Sequence, residues 1–268
     1  MDTRTVHTPF LLNLWLCIGA VLMVCITAIT LDIPLSAIGV GILLPALGVY
    51  VIYVEDRRNI SPEDRINNAY RTALVERFDT PLLYTSLASI VIYQAITLFF
   101  AIDLASTSRT GLALLIAQLP LVFIYTYDDS KRYPFIDSAY VAVVWAVLIF
   151  LPIFLSTTLR VTMPTVAVFM AWFAIIFAGV ESRNVNDITG DDEVNRATVA
   201  SILGPHRTKY LVLSLKTAGL GTIYGFGGVI PALLTVVYLL YLSLFRKLTR
   251  NITPPPEYRP GEPSNGTW

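Results

Sequence analysis

Two clusters of acids stand out for their spacing. In the first, within Tyr53–Arg71, Asp56 and Asp64 are eight residues apart. On a continuous helix that interval leaves them about 80° apart around the axis and roughly 12 Å along it. Asn67 and Arg71 follow Asp64 at i+3 and i+7 and extend the same face, while Pro62 marks a place where such a helix breaks or restarts. The second cluster spaces Asn184, Asp187 and Asp191 at i, i+3 and i+7, which gathers three oxygen-bearing side chains on one helical face. Oxygen donors in that pattern suit a hard cation such as magnesium. That ion takes one or two carboxylates and completes its shell with water and phosphate oxygens, so no protein cage is needed if the substrate brings a diphosphate. A plainer reading fits the same residues: acids among arginines at helix ends pair with those arginines and with water. Spacing alone names no reaction.

The elements that must position these clusters are set by composition. Of 268 residues, 55% are hydrophobic and only 14% charged, with mean hydropathy +0.64, against roughly 25% charged in an ordinary soluble domain. A water-soluble core of this size cannot hide that much apolar side chain, so lipid must cover it. The expected fold is an all-α integral membrane protein with about eight transmembrane helices. The spans run over Pro9–Leu31, Pro34–Val54, Pro81–Ile102, Thr110–Tyr127, Ser138–Leu155, Met163–Val180, Tyr210–Tyr224 and Val229–Phe245. Their continuous apolar runs lack the alternation of a membrane barrel. The last two are expected to join through a tight turn at Gly225–Gly228.

Orientation follows from basic residues. With the N-terminus in the cytoplasm, all but three of the 19 Lys and Arg fall in inner segments, the exceptions being Arg109, Arg160 and the intramembrane Lys216. Both acid clusters then lie in long inner loops, Glu55–Thr80 and Glu181–Lys209. Residues 1–250 form the membrane domain. The Pro-rich stretch 251–268 is expected to be a disordered cytoplasmic tail. Net charge is +0, which gives no support for a nucleic-acid partner. Cys17 and Cys25 lie on one helix too far apart to pair. His7 and His206 are remote from each other, Lys216 is expected to snorkel to the inner interface, and Gly39-x-Gly41 and Gly219-x-Gly221-x-x-x-Gly225 read as close helix packing.

The run Asn184-x-x-Asp187-x-x-Gly190-Asp191, followed by Thr198 and Leu203-Gly204, resembles the second aspartate-rich motif of UbiA-type intramembrane prenyltransferases. The first loop is similar to that family's first motif, with Asp56 at its opening position, Asp64 at its final Asp, and Asn67 and Arg71 beyond. Tyr125-Thr126-Tyr127 followed by Lys131-Arg132 resembles the tyrosine and lysine-arginine segment between its fourth and fifth helices. The chain departs from the pattern at Ile60, in place of the first motif's middle Asp, and at Asn184, in place of the second motif's leading Asp. The family commonly has nine helices, one more than the eight spans above.

The resemblance implies magnesium-dependent transfer of a prenyl group from an isoprenoid diphosphate to a lipid or aromatic acceptor within the membrane. Mg2+ would be held by Asp56, Asp64, Asn184, Asp187 and Asp191. The remaining diphosphate oxygens would fall to Asn67, Arg71, Lys131 and Arg132. The implied partners are a prenyl diphosphate, a hydrophobic acceptor and membrane lipids, with no protein partner and a cell-membrane location. Two other readings stand beside it. One is a non-catalytic relative that binds isoprenoid lipids or a partner, for which Ile60 and Asn184 speak. The other is a transporter, against which the acids' position at one membrane face speaks.

Overall fold

The structure, a computed structural model, describes residues 14–60, 69–102, 109, 111, 113, 135–193 and 197–250, with 101, 102, 187, 189–193 and 250 described by backbone alone. All regular structure among the described residues is helical. Nine α-helices follow one another among the described residues: α1 Trp15–Thr30, α2 Leu35–Ile38, α3 Leu44–Arg58, α4 Ala69–Arg77, α5 Asp79–Ile102, α6 Ile136–Ser156, α7 Met163–Glu193, α8 Val199–Gly227 and α9 Val229–Arg250. The 3-10 segment Gly39–Leu43 joins α2 to α3. Among the described residues, five stretches are long and apolar enough to cross a membrane: Leu35–Arg58, Asp79–Phe100, Ile136–Ser156, Met163–Asn186 and Val229–Thr249. These match five of the expected spans. The first expected span holds the shorter apolar helix α1, the seventh lies within α8, and the fourth falls almost wholly outside the described residues.

The bundle is built around α6. Every residue from Val144 to Leu155 is buried, as expected of a helix that is apolar all round. It packs against α7, α1 and α3, and α7 runs alongside α8 for much of its length. In turn α8 meets α9, α9 meets α1, α1 meets α3, and α3 meets α5. By contrast α5 and α9 carry rows of exposed aliphatic residues, among them Leu87, Val91, Leu98, Ile230, Val237 and Leu240, which lipid must cover.

Where lipid surrounds the bundle, apolar burial gives little preference for one helix packing over another, so close approach and buried polar contacts take over. Gly219 supplies the first. A β-carbon there would come within 2.7 Å of Ile175 Cγ1 and 2.9 Å of the Ala171 carbonyl oxygen, so α7 and α8 touch backbone to backbone. Of the glycine pattern around it, Gly221 and Gly225 have open space instead, and only Gly219 has the expected packing role. The second device is a chain of hydrogen bonds across α1, α7 and α9. The fully buried Trp172 donates from Nε1 to Thr27 Oγ1 at 2.7 Å, Thr27 donates to the Met23 carbonyl at 2.7 Å, and Tyr238 donates to Met23 Sδ at 3.0 Å.

One expectation changes. The second long inner loop is largely helix. α7 continues without interruption from the apolar span to Glu193, and α8 starts at Val199 behind a capping box in which Thr198 and Ser201 serve each other's backbone N–H. Nothing between Val180 and Glu193 breaks a helix except the mild propensity cost of Gly190, so the polar stretch extends the span past the apolar zone. α8 is then kinked at Gly204 (φ +77), whose conformation suits glycine, with Pro205 next in the chain. The Gly turn between the last two helices is as expected: α8 ends at Gly227, Gly228 takes φ +79, and α9 begins at Val229.

Candidate functional site

The charged ends of α3, α7 and α9 and the start of α6 come together at one end of the bundle. α3 brings Tyr53, Asp56 and Arg57. Arg57 is only 4% exposed, and its guanidinium approaches Asp56 Oδ2 at 3.7 Å. Tyr53 stacks edge-on against the buried Trp145 of α6, with ring centroids 6.2 Å apart, and its phenol is within electrostatic reach of Arg57, Asp56, Arg183 of α7 and Arg246 of α9. Arg246 closes the group from α9, donating to Ser182 Oγ at 2.8 Å and to the Gly179 carbonyl at 3.0 Å. Lys216 of α8 lies within electrostatic reach of Arg246. Tyr53, near the end of α3, thus has three arginines from α3, α7 and α9 within electrostatic reach of its phenol and packs on Trp145.

A second layer lies under Asn184. Glu181, one turn back along α7, is fully buried. Ser138, in the first turn of α6, donates its hydroxyl to Glu181 Oε1, and Asn184 donates from Nδ2 to Ser138 Oγ at 3.4 Å. The Asn184 amide, the Asp137 carboxylate and the Ala200 backbone N–H also act on the Glu181 carboxylate. Ala200 lies in the first turn of α8, where unsatisfied N–H groups favour an anion. Glu181 Oε2 is buried and has no hydrogen-bond partner among the described residues. The start of α6 is fixed by its backbone: Phe135 takes φ +74, so the helix begins abruptly and Asp137 and Ser138 fall in its first turn.

Of the residues singled out from sequence, Asp56 and Asn184 are described with their side chains, and both are half-buried at this end. Asp187 and Asp191 lie on α7 in the same unbroken helix as Asn184, so their backbone keeps the i, i+3, i+7 register. Arg71 is half-buried on α4, which packs on α3 and α5. Asp64, Asn67, Lys131 and Arg132 lie outside the described residues, as does the tail 251–268. Glu55 is held elsewhere, since Arg58 Nη1 donates to it at 2.7 Å while Arg58 Nε donates to Asp79 Oδ1 at 2.8 Å, tying α3 to α5. Tyr84 and Phe99 are 67% and 66% exposed and turn to the lipid side, whereas Trp145 faces inward.

Sequence reasoning missed Glu181, Ser138, Arg57, Arg183 and Arg246 as site residues. Glu181 carried the one available signal: an acid at the very edge of an apolar span, three residues before Asn184 on the same face. Arg57, Arg183 and Arg246 had looked like ordinary orientation charges. No three His, Cys, Asp or Glu side chains gather to hold a metal ion among the described residues. Asp56, Asn184 and the orphaned Glu181 Oε2 nonetheless offer oxygen ligands, the chemistry a hard divalent cation takes. The residue types therefore fit magnesium.

No family model matches the sequence, and no curated protein matches it. Two solved structures match the fold. A UbiA homologue from Archaeoglobus fulgidus aligns with TM-score 0.55 and 16% identity, covering 92% of this chain and 91% of that one. The structure of a UbiA homologue from Archaeoglobus fulgidus bound to GPP and Mg2+ aligns with TM-score 0.52 and 13% identity over the same shares. With its apolar helices and nearly full coverage from both sides, this chain is a multi-pass membrane protein with the fold of these UbiA homologues.

Proposed function

We propose that the chain is a magnesium-dependent prenyltransferase that moves a prenyl group from an isoprenoid diphosphate to a hydrophobic acceptor within the membrane. The observation that carries this reading is the gathering of Asp56, Arg57, Arg183 and Arg246 within electrostatic reach of the Tyr53 phenol, on a fold shared with a protein bound to GPP and Mg2+. Asp56, Asp64, Asn184, Asp187 and Asp191 would hold the cation, which when bound neutralises the diphosphate and stabilises departing pyrophosphate. The arginines do the rest of the electrostatic task. A diphosphate brings two or more negative charges to a partly dry site, and guanidinium groups answer them with paired, directed N–H donors. Asn67, Arg71, Lys131 and Arg132 complete that binding in the same reading. Beneath the charged layer, Tyr53 and Trp145 exclude water from the reacting carbon, and their ring faces favour the positive charge that develops there. The charged end faces the cytoplasm of the cell membrane, a reading supported by the placement of Lys and Arg.

The test uses purified protein, magnesium, labelled prenyl diphosphates of several chain lengths and a lipid extract. Label transfer is expected, EDTA abolishes it, and Asp64→Ala or Asp191→Ala lowers it at least about a hundredfold, the scale for losing a group that stabilises developing charge. Transfer indifferent to both substitutions overturns the site. A second reading, non-catalytic binding of an isoprenoid lipid, draws on Ile60 and Asn184 in the acid motifs and on the lack of a three-acid cluster among the described residues. It is distinguished by saturable binding of a labelled prenyl diphosphate without turnover.

A further inference from the structure

The hydrogen bonds under Asn184 run in one direction only. Ser138 donates its single hydroxyl proton to Glu181 Oε1, so that proton is committed. Ser138 then has only lone pairs left for Asn184, and only the amide nitrogen can bond to them. The Glu181 carboxylate reinforces this by attracting the same N–H2 group. The amide orientation is therefore dictated by two side chains, Ser138 and Glu181, and Oδ1 is the atom that this relay leaves unengaged.

We propose that Ser138 and Glu181 are positioning residues that keep the Asn184 carbonyl oxygen available to the cation–diphosphate ligand. The proposal rests on the functional reading above. It also accounts for an asparagine at this place. An aspartate would compete with Glu181 for one hydroxyl proton and would set another carboxylate beside Glu181 and Asp137 in a poorly hydrated layer, where like charges are costly. Reversing the pair removes the conflict. With Asp at 184 and Gln at 181, the glutamine amide donates to Ser138 and Ser138 donates to the new carboxylate.

The experiment titrates Mn2+ into the purified full-length chain with inorganic pyrophosphate present and follows bound Mn2+ by electron paramagnetic resonance. Ser138→Ala and Asn184→Asp are each expected to weaken Mn2+ binding about tenfold or more, the lower end of the range for losing a group that orients a ligand. Ser138→Thr, which keeps the hydroxyl, and the double variant Glu181→Gln/Asn184→Asp are expected to return to within about threefold of wild type, a difference of under about 1 kcal/mol. Wild-type binding in Ser138→Ala, or a double variant no better than Asn184→Asp alone, overturns the relay and leaves the functional reading standing. Should Asn184→Asp not fold, Ser138→Ala against Ser138→Thr decides the matter. Failure of the wild-type chain to retain Mn2+ with pyrophosphate overturns both proposals together.

Discussion

Trp172 carries a polar group into the middle of the bundle, and Thr27 gives it a partner from another helix. The contact joins α7 to α1 where no water competes, and Thr27 answers the indole while its own proton goes to Met23. Trp172→Phe removes the donor and some ring volume but keeps the aromatic packing on Tyr238. A loss of about 0.6 to 2 kcal/mol is expected, measured by denaturant titration in mild detergent, since interhelical hydrogen bonds in membranes fall in that range. Thr27→Val, which leaves the indole N–H buried without a partner, should cost at least as much. At this scale the sequence was legible only where spacing along one helix decided the matter. Asn184, Asp187 and Asp191 could be placed on one face by counting. Ser138 could not be joined to Glu181, because 43 residues separate them and only packing of α6 on α7 brings them together. Arg57 and Arg58 look equivalent in sequence, yet one is nearly buried beside Asp56 and the other is bound to Glu55 and Asp79.

Among the elements, α7 and α8 matter most, because the polar end of one and the capped start of the other frame the site. Their closeness depends on Gly219. Gly219→Leu puts a side chain where Ile175 and the Ala171 carbonyl already lie, and overpacking of about 1 to 3 kcal/mol is expected. The check is a lower unfolding midpoint for Gly219→Leu than for Gly221→Leu, since a β-carbon at Gly221 meets nothing within 4 Å. The apolar spans were readable because lipid demands long continuous runs, and their inner ends were marked by charge. The helical continuation of α7 beyond Val180 was less legible. Polar residues end an apolar run without ending a helix, and hydropathy tracks only the former. In the second expected span the opposite happened: Gly39 at φ +53 and the 3-10 turn to Leu43 divide an apolar stretch that hydropathy alone reads as one helix.

For the whole molecule, the order of spans and loops carried the UbiA resemblance, and the two solved structures share that fold across nearly the full chain. The one-residue turn at Gly228 has a consequence for how the protein is made. α8 does not reach the apolarity that marks five other stretches as able to cross a membrane alone; it carries Lys216 within its span and His206, Arg207 and Lys209 at its start. α9 does reach it. With a single glycine between them, the two helices have no slack to enter the bilayer at separate times, so they must be released from the translocation machinery as a pre-paired hairpin. A reporter fused after α8 alone should remain largely uninserted, whereas one fused after α9 should show both helices integrated. Independent integration of the isolated α8 segment would show that the pairing is not required.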